Sequence, residues 1–92
     1  MAFSIVWSQL ARQQVRELVA YIADYDAIAA TNLRRRLEEV VQPLAEHPYM
    51  FRPGRVPGTR EIVAHANYLI IYRVLANEID ITSVVHARRE YP

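Results

Sequence analysis

Apolar residues in this chain recur first with a period of two, then of three to four, then of two again. Phe3, Ile5 and Trp7 alternate with Ala2, Ser4 and Val6, the pattern of a half-buried strand. Ser8 follows where a helix N-cap belongs. Ala11, Val15, Leu18, Val19 and Ile22 then fall at helical spacing and form one apolar stripe. Asp24-Tyr-Asp26 interrupts it, and Asp26 is placed to cap a second helix with the stripe Ala30, Leu33, Leu37, Val40, Val41 and Leu44. Pro43 has no N–H for the helical ladder, so the second helix should kink or end there. Two helices joined so closely predict an antiparallel hairpin. Trp7, Tyr21 and Tyr25 are expected to pack helix against sheet.

Residues 47–59 hold three of the five prolines and both glycines, the composition of a rigid surface connection. Three strands are expected after it, at Glu61–His65, Tyr68–Leu75 and Glu78–Val85, with turns at Ala66-Asn67 and Ala76-Asn77. The run Tyr68-Leu-Ile-Ile-Tyr-Arg-Val-Leu75 is nearly all apolar, which fits a central strand covered on both faces. The last strand predicts Ile79, Ile81, Ser83 and Val85 on one face, with Asp80, Thr82 and Val84 on the other. The order is β-α-α-β-β-β. It describes a single α+β domain over residues 1–92, a helical hairpin packed on a largely antiparallel four-stranded sheet.

Charge narrows the chemistry. All eleven cations are Arg and none is Lys, which removes Schiff-base and lysine-base reactions and leaves the planar guanidinium for every basic contact. There is no cysteine, so neither a disulfide framework nor a thiolate metal site exists. The net charge of +1 is too small for general nucleic-acid binding. Its distribution is uneven: the loop 47–60 carries three Arg and no acid. No apolar run reaches transmembrane length, and the first residues lack the pattern of a signal peptide. A cytoplasmic protein without membrane contact is expected.

No nucleophile–base pair stands out, and His47, His65 and His86 lack metal-ligand spacing. No metal, cofactor or phosphate-cradling glycine loop is expected. His86 lies just past the expected end of the last strand, close to Arg88, Arg89 and Tyr91. Such groups could cleave RNA: a base for the 2′-hydroxyl proton, a cation for the phosphorane and an acid for the leaving oxygen. They could equally be a polar tail, with Tyr91 folded back onto the sheet. Arg52, Arg55 and Arg60 admit two readings as well, anion binding by guanidinium forks or a surface ion pair between Arg60 and Glu61. Arg34, Arg35 and Arg36 read as a solvated helix face paired with Glu38 and Glu39.

The whole chain resembles the RelE/ParE superfamily of bacterial toxins from type II toxin–antitoxin modules. The likeness runs through Ile5-Val-Trp7, Tyr21-Ile22-Ala23, Ala29-Ala30 and Leu44-Ala-Glu-His-Pro48. It continues through Gly54-Arg55-Val-Pro-Gly-Thr-Arg-Glu61, Tyr72-Arg-Val74 and Val85-His86-Ala-Arg88-Arg89-Glu-Tyr-Pro92. The resemblance implies a toxin held by a cognate ParD- or RelB-like antitoxin, meeting operator DNA only through it, in a module of the plasmid-stabilisation type. It splits over the target. RelE-like members cut mRNA on the ribosome, and their pattern has a catalytic Arg where this chain has Leu69. ParE-like members poison DNA gyrase without hydrolysis. The departure at Leu69 favours ParE, with Arg55, Arg60, His86, Arg88, Arg89 and Tyr91 as target-binding residues and no catalytic residue. The alternative is a ribosome-dependent endoribonuclease in which His86, Arg89 and Tyr91 carry the chemistry. The antitoxin is expected to cover Leu10 and Tyr21, which flank the buried stripe of the first helix.

Overall fold

The computed structural model describes residues 2–88. One hydroxyl joins its first two elements. Strand β1 (Ser4–Trp7) ends against Ser8, which caps helix α1 (Gln9–Ala23). The Ser8 Oγ accepts from the Ala11 N–H at 3.0 Å and donates to the Thr82 carbonyl at 2.9 Å. The cap therefore also fixes α1 against the last strand. Asp26 repeats the cap for helix α2 (Ala27–Val40), its Oδ1 accepting from the Ala29 N–H at 3.0 Å. Beyond Val40 the chain tightens into a 3₁₀ turn, Gln42–Ala45, with Pro43 in its opening turn. The helix ends where proline requires.

The sheet has five strands rather than the four expected. Strand β2 (Arg52–Pro53) precedes β3 (Arg60–His65), β4 (Tyr68–Val74) and β5 (Glu78–His86), in the spatial order β1-β5-β4-β3-β2. Only β1 runs parallel to its neighbour β5; the other pairs are antiparallel. The two residues of β2 carry no alternating pattern, so sequence periodicity could not reveal them. Between β2 and β3, Val56-Pro57-Gly58-Thr59 closes a type II turn. The Thr59 N–H bonds the Val56 carbonyl at 3.1 Å, and Gly58 takes the positive φ of 86° that this turn requires.

Ala11, Leu33, Leu37, Val41 and Leu44 from the helical side meet Ile62, Ala64, Ile70, Tyr72, Ile79, Ile81 and Val84 from the sheet. Phe3, Ile5 and Trp7 pack against this core, as their alternation predicts. Val84 was expected on the other face from Ile81. A bulge explains the change: Ile71 faces Ser83 while Tyr72 faces Ile81, leaving Thr82 as an extra residue in β5. The side-chain parity flips there, so Val84 turns into the core and His86 follows it. The bulge is well supplied with partners. Thr82 Oγ1 donates to the Ile71 carbonyl at 3.0 Å, and the Val84 N–H donates to Gln14 Oε1 at 2.7 Å.

Two further expectations fail. Tyr21 and Tyr25 do not pack helix against sheet: they are 63% and 78% exposed, in edge-to-face contact at 5.4 Å. The arginine run does not pair with Glu38 and Glu39 either. Arg35 binds Asn32 Oδ1, and Arg36 donates to the Ala64 carbonyl at the second bulge of the sheet, between Val63 and His65. A guanidinium reaches that carbonyl because a bulge leaves it outside the ladder. No helix among the described residues is long and apolar enough to cross a membrane.

Replacing Ser8 by Ala removes both a cap and a tie to the bulge. It should lower unfolding stability by about 1–2 kcal/mol, measured as a shifted urea midpoint with an unchanged slope.

Candidate functional site

The arginine loop is held by a carboxylate from beneath. Glu61 is only 3% exposed, the one buried charged residue among those described. Its Oε1 lies 3.1 Å from Arg52 Nη2 and 3.2 Å from Arg52 Nε. Its Oε2 accepts from the Arg55 backbone N–H at 3.1 Å, with Arg55 Nε at 3.8 Å. The expected Arg60–Glu61 pair is absent because adjacent strand residues point to opposite faces. Arg60 instead donates to the carbonyls of Phe51 (2.6 Å) and Tyr49 (3.3 Å), with its guanidinium 4.9 Å from the Tyr49 ring centroid. All three loop arginines thus have partners within the chain.

Beside Arg60, Tyr72 is fully buried and donates its hydroxyl to the Pro48 carbonyl at 2.9 Å. Burial pushes this phenol above its ordinary value; the Arg60 guanidinium and the Phe51 backbone act against the shift.

His86 belongs to the other end of the sheet. Arg60 pairs with Tyr72 across β3 and β4, whereas His86 pairs with Tyr68 across β4 and β5. Four residues of strand separate Tyr72 from Tyr68, about 13 Å. Arg60 therefore does not converge on His86. The groups that do are His65 and Tyr68. The Tyr68 ring lies 5.4 Å from His86 and 5.7 Å from His65, one imidazole on each side. His65 Nδ1 accepts from the Asn67 N–H at 3.2 Å and His86 Nδ1 from the Arg88 N–H at 3.1 Å. The Ala87 N–H to Asn67 carbonyl bond, at 2.7 Å, ties the two turns together. Arg88 is exposed next to them. Arg89 and Tyr91 lie outside the described residues.

The tip of the helical hairpin adjoins this end. The Tyr21 phenol is held above its ordinary value by its hydrogen bond to Tyr25 and by that residue's charge, with a smaller effect from Tyr68. Leu10 is 56% exposed on the same side of α1 as Tyr21, eleven residues or just over three turns earlier. On the opposite flank of α1 lies a groove of about 540 Å³. Ile5, Val6 and Trp7 of β1, Arg12, Val15 and Arg16 of α1, and Arg34 and Glu38 of α2 line it.

The family described as "ParE toxin of type II toxin-antitoxin system, parDE" matches residues 5–91. This chain belongs to that family. Y4kP of Sinorhizobium fredii (strain NBRC 101917 / NGR234), itself a candidate toxin, is 38% identical over 89 residues, covering 96% of this chain and 92% of its own length. Toxin RelE1 of Caulobacter vibrioides is 30% identical over 89 residues, covering 94% and 95%. Among solved structures, the chromosomal ParDE system from P. aeruginosa superposes with a TM-score of 0.83 at 21% identity, over 92% of this chain and 96% of that one. That likeness speaks for the fold.

For this ParE-family chain, sequence reasoning named His86 and Arg88 as candidates; it did not name His65 and Tyr68, which the structure sets beside His86, or give Glu61 its place under the arginine loop. Only the strand register brings His65 and Tyr68 to His86. Glu61 had a usable signal, a lone acid just after three acid-free arginines. Leu69, where the resemblance to RelE-like members implies an Arg, is 3% exposed and stands between Val63 and Val85 in a cross-strand apolar row. Its side chain is on the opposite face from Tyr68 and His86.

Replacing Glu61 by Ala strands the Arg55 amide and frees Arg52. We expect a loss of about 1–3 kcal/mol and faster trypsin cleavage after Arg52 and Arg55, read by urea unfolding and peptide mapping. Tyr72→Phe tests the buried phenol. A folded-state value raised above the unfolded one (about 10) gives stability that is complete below pH 10 and lost as pH rises beyond it. The variant should be less stable than wild type at pH 7, by about 1 kcal/mol, and the difference should shrink in denaturation curves above pH 10.

Proposed function

We propose that this ParE-family toxin inhibits DNA gyrase as a non-hydrolytic binding protein in the cytoplasm and that a cognate antitoxin neutralises it. The observation that supports this reading is the register of β4. It separates Arg60 from His86 by about 13 Å of strand and sets Leu69, the residue that stands where the RelE-like pattern implies a cation, in a buried apolar row. Losing a transition-state cation costs orders of magnitude in rate, but a binding surface needs none. On this reading His86, Arg88, Arg89 and Tyr91 contact the target together with Arg55 and Arg60, although Arg60 lies at the opposite end of β4 from His86 and Arg89 and Tyr91 lie outside the described residues. The antitoxin covers Leu10 and Tyr21, whose exposed apolar surface would otherwise face water.

The endoribonuclease reading keeps one supporting observation, the His65–Tyr68–His86 cluster. Purified toxin assayed with gyrase, ATP and relaxed plasmid should block supercoiling and accumulate cleaved DNA, while in vitro translation proceeds normally. Codon-positioned mRNA cuts with gyrase unaffected would reverse the assignment. Arg89→Ala combined with Tyr91→Ala should abolish growth arrest yet leave antitoxin binding intact. Leu10→Asp should weaken antitoxin binding without unfolding the chain; tight binding by that variant would remove Leu10 from the interface.

A further inference from the structure

The row His65–Tyr68–His86 is built twice from one local device. In His65-Ala66-Asn67 and again in His86-Ala87-Arg88, the backbone N–H two residues on donates to the imidazole Nδ1, at 3.2 Å and 3.1 Å. An Nδ1 that accepts carries no proton, so each neutral ring keeps its proton on Nε2. Both lone pairs are spent inside the chain, and both Nε2–H donors are left over. The row therefore offers a partner hydrogen-bond donors and no imidazole base.

Register sets these donors side by side. His65 pairs with Tyr68 and Tyr68 with His86, so the three side chains leave one face of β3, β4 and β5. The two imidazoles stand two strands apart, about 10 Å, with the Tyr68 ring between them. The Ala87 N–H to Asn67 carbonyl bond fixes the turns that carry them. Arg88 adds an exposed charge at one end. Among the described residues, no hydrogen bond or ion pair engages its guanidinium, the Tyr68 hydroxyl or either Nε2. Acids lie elsewhere: Glu61 and Asp80 pair with Ile71 and Arg73, further along the same strands, and Asp26 is committed to the α2 cap.

We propose that this row is a contact for the phosphodiester backbone of a nucleic-acid strand, with DNA held by gyrase as its source. His65 and His86 donate Nε2–H to non-bridging oxygens of nearby phosphates, the Tyr68 hydroxyl donates between them, and Arg88 supplies the charge. Two like donors at a fixed separation suit an anion that repeats along a chain. A net charge of +1 is too small to hold nucleic acid unaided, so the contact acts where another protein presents the strand. The inference rests on the gyrase reading and deepens it: the toxin grips the enzyme–DNA complex through its DNA as well as its protein. No bond is broken at this row.

The test measures the affinity of full-length toxin for gyrase with and without a bound DNA duplex, by fluorescence anisotropy at several salt concentrations. DNA should tighten wild-type binding by about tenfold or more, and this gain should shrink as salt rises. Asn carries an acceptor close to the place of Nδ1 but has no Nε2–H, so His65→Asn/His86→Asn keeps both turns and loses both donors. That variant should unfold at the wild-type urea midpoint, lose the DNA-dependent gain and no longer accumulate cleaved DNA. His65→Asn alone, expected to lose about threefold of the gain, covers the case in which the double variant misfolds. A folded double variant that keeps the gain, even if it binds gyrase more weakly in both states, would overturn the phosphodiester contact and leave the gyrase reading standing. So would a wild type that binds gyrase equally with and without DNA. A wild type that binds no form of gyrase but cuts mRNA on the ribosome would overturn the gyrase reading. The contact then stands for RNA if the double variant loses mRNA binding, and falls if it does not. Binding to neither target would overturn both.

Discussion

Thr82 is one residue more than β4 can pair with, and much of the molecule's functional geometry follows from that mismatch. An extra residue in one strand reverses which side chains face the core from that point on. Ile79 and Ile81 lie in the core before the bulge and Val84 after it. His86 is thereby carried to the helix-facing side, against Tyr68 and towards the tip of the helical hairpin. Without the bulge it would face the opposite side, with Leu69. The distortion is stabilised from α1: Ser8 satisfies the Thr82 carbonyl and Gln14 the Val84 N–H. Helix position and sheet register are thus specified by the same hydrogen bonds.

Eight of the described arginines divide into groups that their residue type does not distinguish. Arg52 and Arg55 converge on buried Glu61, and Arg60 reaches two carbonyls of the preceding loop. Arg36 satisfies a carbonyl released by the other bulge. These contacts brace a proline-rich connection whose short β2 has little ladder of its own. Arg12, Arg16 and Arg34 face a groove, and Arg88 stands beside the histidines. A guanidinium already bound to a buried carboxylate is costly to recruit for a partner, because removing it leaves that charge uncompensated. The free cations are the ones available for recognition.

Two exposed surfaces lie close to one helix. The tip of the hairpin and the ends of β4 and β5 present tyrosine, histidine and arginine, a composition common at protein interfaces. The groove and the β1 edge lie on the other flank of α1.

The family, the order of elements and most of the core were determined by the sequence, because periodicity, caps and prolines are local properties of the chain. Ser8 and Asp26 are caps as expected, Pro43 accompanies the helix end, and the stripes of both helices meet the sheet. Tertiary structure decided the rest. A two-residue strand has no period to detect, so β2 was missed. A bulge is a property of a strand pair, so the faces of Val84 and His86 could not be read from β5 alone. Partner choice for Glu61 and Arg60 depended on which side of the sheet each residue took. Tyr21 and Tyr25 lay outside the core for a related reason: Tyr21 sits off the buried stripe of α1 and Tyr25 in the turn beyond its end, so both rings stay in solvent.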